Sequence, residues 1–349
     1  MYAHELSTVT NMAAEPARTG PYVITVLLME QFAMIALAST IEPFREANWI
    51  LGGNVYEIRV VSQDGNPVIS SSGMSLNVDA AIGDVDGGAM VIVCSSWDPH
   101  RYTTPKIVRW LKKQARLGVR IGGVETGTYV LASAGLLDGY KATIHWENLE
   151  GFVETFPKVN ISTNLFEVDR SRFSAAGASA ALDLMLYFIE EQHGPGIATA
   201  VADGFVHRRA REGQSPQRAD TRERFNIKHP RLVRILEFLA RNLDRHLDVA
   251  EMAQAENISD REVRRLFSAY LNSTPQAYHR SLRLHKARAL LRQTTISVID
   301  ISICCGFTSS SDFSRAFKRE FGLQPVSDRQ QVYRADWLHE QDRTGAVSS

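Results

Sequence analysis

The chain has 349 residues, 44% of them hydrophobic and 22% charged, and no apolar run approaches the roughly 18 residues of a membrane helix. That length suits two soluble domains and argues against a membrane partner. The formal net charge of zero hides a division: residues 222–334 carry 20 Lys and Arg against 12 Asp and Glu, and the rest carries 19 against 27. A basic module joined to an acidic one is expected, so neutrality does not exclude nucleic acid.

Residues 1–20 form a polar leader without the cationic start and apolar stretch of a signal peptide, so a cytoplasmic protein is expected. Short β-rich runs follow at Tyr22–Met29, Tyr56–Ser62, Ala89–Cys94 and Val119–Val124. Helical patterns lie between or after them at Ala36–Asn48, Pro105–Leu117 and Gly127–Ala134. This alternation predicts a parallel α/β sheet over residues 21–210, closed by helices at Ala178–Glu191 and Ile197–Arg209. Thr103 and Thr104 before Pro105 mark one helix start. A linker is expected over 211–228, an all-α domain over 229–335, and a tail over 336–349. The cysteines, Cys94, Cys304 and Cys305, form neither a disulfide framework nor a metal-ligand spacing, so buried thiols are expected and no metal or cofactor.

The C-terminal third contains an internal repeat. LDVAEMAQAENISDREVRRLFSAYL, from Leu247, aligns with TTISVIDISICCGFTSSSDFSRAFKREFG some 49 residues later. Val249, Met252 and Ala253 sit where Val298, Ile301 and Ser302 sit, an apolar stripe with a small residue at the crossing. Asn257 matches Gly306, the residue types that most readily take the left-handed conformation ending a helix. Val263, Leu266 and Phe267, like Phe313, Ala316 and Phe317, fall at i, i+3, i+4 and must face a core. Arg261, Arg264 and Arg265 are then left outward on one second helix, and Ser311, Asp312, Ser314 and Arg315 on the other. These side chains suit base readout in the major groove. Lys318, Arg319 and the run Arg280, Arg283, Lys286, Arg288 suit phosphates. A helix over Pro275–Gln293, roughly 27 Å long, would space the two reading helices about one duplex turn apart.

The run RLHKARALLRQTTISVIDISICCGFTSSSDFSRAFKREFGLQP closely resembles the AraC/XylS family of transcriptional regulators over about 100 residues. That resemblance implies a tandem helix-turn-helix domain reading promoter half-sites in double-stranded DNA, usually as a homodimer, with RNA polymerase as a further partner. The sequence departs from the family pattern after Pro325, where Val326, Ser327, Asp328 and Arg329 follow without the usual tyrosine.

In the first half, VRIGGVETGTYVLASAGLLDGYKATIHWENL places a strand end near Val124 and, after a very short turn, Gly127 opening a helix. That is nucleophile-elbow geometry. Two residues, Glu125 and Thr126, separate Val124 from Gly127. The arrangement resembles the PfpI and class I glutamine-amidotransferase-like superfamily, which implies a flavodoxin-like α/β sandwich over about Pro21–Gly194. The resemblance sets Glu125 at the place of the nucleophilic cysteine and His145 at that of its histidine partner. A glutamate is a poor acyl-transfer nucleophile, so no enzymatic activity is expected and no catalytic residue is assigned.

AraC-type regulators carrying such a domain use it, the resemblance implies, to sense a metabolite and to dimerise. An acidic elbow is similar to that of the regulators of arginine, carnitine and glycine betaine catabolism. Glu42, in IEPFREAN, falls in the region where the superfamily places an acidic residue near its nucleophile. Paired carboxylates would favour a cationic ligand. Trp97, after a strand, and Trp146, beside His145, could hold a quaternary ammonium group by cation–π attraction. The expected effector site is therefore Glu42, Trp97, Glu125, His145 and Trp146, for a small amino or trimethylammonium metabolite. Three readings stay open: a ligand-responsive activator of a catabolic operon, a hydrolase or amidase-like enzyme with an accessory DNA-binding domain, and a ligand-independent architectural DNA binder. Glu42 is also spaced for an ordinary ion pair with Arg45, and each tryptophan for a core or interface position.

Overall fold

A computed structural model describes residues 20–86, 88–207, 211–217 and 229–330. The leader up to residue 19, residues 218–228 of the expected linker and the tail lie outside the described residues. The first domain runs β1 (Tyr22–Leu28), α1 (Met34–Leu51), β2 (Tyr56–Ser62), β3 (Val68–Ile69), β4 (Ser75–Leu76), β5 (Ala80–Ala81) and β6 (Met90–Ser95). There follow α2 (Pro99–Tyr102), α3 (Pro105–Arg116), β7 (Arg120–Glu125), α4 (Gly127–Ser133), β8 (Lys141–Thr143), a 3-10 turn (Trp146–Asn148) and α5 (Leu149–Thr155). It closes with β9 (Asn160–Ser162), β10 (Phe166–Asp169), β11 (Arg172–Ala175), α6 (Ser179–His193) and α7 (Pro195–Gly204).

Among the described residues, seven strands form one sheet in the order β10-β11-β7-β6-β1-β2-β5. Its pairings are parallel except β10 with β11. Central β6 is buried at every position, as expected of a parallel strand covered on both faces. Helices α1, α6 and α7 pack on one face around Phe44, Tyr56 and Phe188, and α3, α4 and α5 on the other around Trp110, Leu131 and Phe152. The four strands expected from β-rich runs are all present. The short strands β3, β4, β5, β8 and β9 and the antiparallel edge β10–β11 were not expected, because runs of two to four residues carry no readable alternation.

The second domain is helical: α8 (Pro230–Arg241), α9 (Val249–Ala255), α10 (Asp260–Leu271), α11 (Pro275–Gln293), α12 (Val298–Cys304), α13 (Ser310–Phe321) and α14 (Pro325–Gln330). It has two cores. One joins α8, α9 and α10 around Met252, Leu266 and Phe267. The other joins α11, α12 and α13 around Leu290, Phe313 and Phe317. Side chains set the helix starts: Asp248 and Glu251 form a reciprocal capping box on α9, and Ser259 and Ser309 accept from Glu262 N and Asp312 N. Both turns take the expected left-handed conformation, φ 51° at Asn257 and 69° at Gly306. After Pro325 the departure from the family pattern has a structural use. Buried Asp328 receives the guanidinium groups of Arg288 and Arg292 at 3.0 and 2.8 Å and fastens α14 to α11.

The expected linker begins differently from its reading as a free connector. Asp183, buried on α6, pairs with Arg211 at 2.7 Å, and Leu165 N donates to the Gly213 and Ser215 carbonyls, both at 2.9 Å. Polar, glycine-containing composition predicts loop conformation, but it cannot reveal that residues 211–217 find hydrogen-bond partners along the edge of the sheet domain. No helix among the described residues is long and apolar enough to cross a membrane.

Candidate functional site

The carboxyl ends of β1, β6 and β7 lie side by side, with Leu28 opposite Cys94 and Ser95 opposite Glu125. Strand ends at the middle of an open α/β sheet form its natural ligand crevice. Glu125 closes β7 with φ 59°, a conformation costly for a residue with a Cβ. The chain then turns at once into α4, and a side chain at Gly127 would place its Cβ 2.0 Å from the Val93 carbonyl oxygen. Glycine is therefore required for the helix to leave the elbow so close to β6. The left-handed turn projects the Glu125 side chain into the crevice, where Ser96 Oγ donates to its Oε1 at 2.7 Å. Burial pushes the Glu125 carboxyl up to about 7; the Ser96 hydrogen bond opposes this and the charge of Glu147 adds to it. A carboxyl in this state exchanges its proton near neutral pH and gains most from a positive charge beside it.

His145 and Trp146 stand beside Glu147 in the 3-10 turn, their rings 5.5 Å apart, and His145 Nδ1 accepts from Glu147 N at 3.4 Å. Trp146 is 36% exposed and Trp97 39%, so each keeps an accessible face. Trp97 N donates to the Gln31 carbonyl, which ties its loop to the end of β1.

Glu42 is a correction. It lies eight residues into α1, about 12 Å along the helix axis from the crevice end, and its carboxylate pairs with Arg45 Nε at 2.5 Å. Glu30, two residues past the end of β1, was missed. Its Oε2 accepts from Ile69 N at 3.2 Å, and burial raises its carboxyl. The acid whose charge reaches Glu125 is thus Glu147. Cys94 sits under the elbow, but burial and the neighbouring Glu125 push its thiol up, far from the thiolate that a nucleophile needs.

On the helical domain, Arg261, Arg264 and Arg265 are exposed on α10, as are Ser311, Asp312, Arg315 and Lys318 on α13, with Ser314 half-buried. Val263, Leu266 and Phe267, and Phe313, Ala316 and Phe317, are buried beneath them. The helical period therefore divided both helices into a core face and an outward face. Arg265 pairs with Glu262 at 2.7 Å and Arg315 with Asp312, exposed intrahelical pairs weak enough to be exchanged for base edges.

The phosphate run needs a second correction. Arg283 is only 5% exposed, donates to the Gly306 carbonyl at 2.8 Å and lies over the Phe307 ring at 4.7 Å. Arg288 is held by Asp328. Both point inward because α11 is packed on several sides, which its mixed sequence does not disclose. Arg280, Lys318 and Arg319 stay exposed. Arg283→Ala should accordingly cost about 1–3 kcal/mol of stability by leaving the Gly306 carbonyl without its donor. The slope of log affinity for DNA against log salt should stay unchanged, which a salt titration beside a urea melt would check.

Residues 23–191 match the DJ-1/PfpI family and residues 252–331 match a helix-turn-helix domain. The chain is similar to the HTH-type transcriptional regulator CdhR of Pseudomonas aeruginosa, 40% identical over 87% of this chain and 90% of that protein. It is similar to the HTH-type transcriptional regulator GbdR of the same species, 39% identical over 90% of this chain and 86% of that protein. The HTH-type transcriptional regulator GlxA of Rhizobium meliloti is 36% identical over 91% of this chain and 98% of its own. Among solved structures, a THiJ/PfpI family protein from Pseudomonas syringae shares the fold, with a TM-score of 0.50 at 18% identity, covering 72% of this chain and 98% of that one.

Proposed function

Since the chain belongs to the family of DNA-binding transcriptional regulators that join a DJ-1/PfpI domain to an AraC-type helix-turn-helix domain, we propose that it activates a catabolic operon in response to a small cationic metabolite held at Glu125. The observation carrying this reading is the elbow itself. A carboxyl stands where a nucleophile would, buried, with a second carboxylate charge from Glu147 acting on it. An amino or trimethylammonium group would relieve that repulsion, and Trp97 and Trp146 offer faces to its methyl groups. The same carboxyl argues against acyl-transfer catalysis, since an anhydride formed on it would simply hydrolyse, and the protein is read as a sensor and not an enzyme. It acts in the cytoplasm as a homodimer on promoter half-sites, with RNA polymerase as partner.

A thermal-shift screen with glycine betaine, L-carnitine and L-arginine, followed by calorimetry on Glu125→Ala, tests the effector reading. The variant should lose at least tenfold in affinity for whichever compound shifts the native protein. Unchanged affinity removes Glu125 from the site. For the output domain, Arg264→Ala should cost about 1–3 kcal/mol and relax preference at one base position. Selection from random duplexes that returned the native preference would disprove the reading face assigned to α10.

A further inference from the structure

The segment between β8 and α5 passes the elbow and then reaches the DNA-binding domain. At its start, Thr128 Oγ1 in the first turn of the elbow helix donates to the Thr143 carbonyl at 2.9 Å. The next carbonyl, Ile144 O, accepts from Gln217 Nε2 at 2.9 Å, and the same amide also donates to Thr143 Oγ1 at 2.9 Å and Asn164 O at 3.0 Å. Gln217 lies in the segment that precedes the second domain in the chain. At the far end of the segment, the Glu147 carbonyl accepts from Gln293 Nε2 at 2.8 Å. Gln293 is the last residue of α11, the helix shared by both helix-turn-helix units.

Directly beyond, α5 lies against the end of α11. A Cβ on Gly151 would fall 2.9 Å from Thr294 Cγ2. Burial raises the Glu150 carboxyl at this junction, and Lys286 lowers it. Glu150 Oε2 and Gln293 Oε1 are buried there without a protein donor. A junction with unmet acceptors is weakly held, because separation returns them to water.

We infer that residues 144–147 form a strap that couples the elbow crevice to the DNA-binding domain, gripped at Ile144 by Gln217 of the linker and at Glu147 by Gln293 of α11. The inference rests on the reading of Glu125 as the effector site. Glu147 acts by its charge on Glu125, and both outer grips are on backbone carbonyls, so a shift of the strap alters both hydrogen bonds together. The Glu147 grip reaches the second domain directly, through the packed end of α11. The strap is thus the physical link through which a ligand at the crevice and DNA on the helical domain would each act on the other.

The test uses the full chain without ligand, on a duplex selected from random DNA by the native protein. Gln217→Ala and Gln293→Ala should each change DNA affinity at least fivefold, in the same direction. The double variant should not exceed the larger single effect, because both release one segment. Gly151→Leu, which wedges the junction from the α5 side, should shift affinity in that same direction. Hydrogen exchange at residues 144–151 should rise in all four proteins. The strap is overturned if any single variant leaves affinity unchanged or if the two glutamine effects add. The effector reading is judged separately, by the melting shift of the native protein with glycine betaine, L-carnitine and L-arginine. No shift from any of them, alongside altered DNA affinity in the variants, sinks that reading and leaves the strap standing; a shift with unaltered DNA affinity does the reverse.

Discussion

Gly306→Val should unfold the second helix-turn-helix unit and reduce DNA affinity more than a hundredfold. Two costs add at this residue. Its φ of 69° costs about 1–2 kcal/mol for a residue with a Cβ, more when the side chain is β-branched. A Cβ there would also stand 2.6 Å from the backbone N and Cα of Arg245, atoms that cannot rotate away as a side chain end could. Arg245 lies in the loop before α9, so the clash forces the two units apart, and it displaces the carbonyl on which Arg283 donates. Asn257 is the control. It holds the equivalent turn at φ 51°, and Asn257→Ala should cost only about 1–2 kcal/mol from the backbone conformation. Circular dichroism melts with DNA titrations would separate the two variants. Equal losses at both positions would mean that the contact with Arg245 contributes nothing.

Glu125→Gln should remove a pH dependence of stability worth about 3 kcal/mol. The carboxyl sits at about 7 in the folded protein against an ordinary value of 4.5. With the folded value raised, the native state binds more protons than the unfolded state between pH 4.5 and 7. This contribution is complete below pH 4.5, declines as pH rises through 7, and is absent above it. Urea unfolding at pH 5 and pH 8 should show the native chain losing stability across this window and Glu125→Gln losing markedly less. Parallel behaviour of the two proteins would rule out the raised carboxyl. The same titration governs the effector: a cationic ligand needs the ionised form, so its affinity should fall about tenfold per pH unit below 7, whereas a neutral ligand accepting a hydrogen bond from the protonated acid would show the opposite trend.

Much of this protein was legible in its residues because its signals are local. The 3.6-residue period separated Val263, Leu266 and Phe267 from Arg261 and Arg264, and it needed no partner to do so. Asn257 and Gly306 marked both turns through backbone preference alone. A strand, a very short turn and a glycine-led helix marked the elbow, and Glu125 at that place argued against a thiol enzyme. The pairing of opposite charge totals in the two halves likewise required only counting.

What failed was distance in space between residues far apart in the chain. Glu42 and Glu30 both follow β1, and only the length and direction of α1 decided that Glu30 stays at the strand ends while Glu42 turns away to Arg45. Arg283 belonged to a basic run, and only the packing of α11 on several sides turned it inward to the Gly306 carbonyl. Gln217 and Gln293 look like ordinary polar residues in a linker and at a helix end, yet the fold sets both on the backbone beside His145. Local periodicity and backbone preference are written residue by residue, so the sequence by itself determined the longer elements, their faces and the glutamate at the elbow. Burial, long-range pairing and the junction between domains depend on which surfaces the folded elements bring together, and those only the tertiary structure decided.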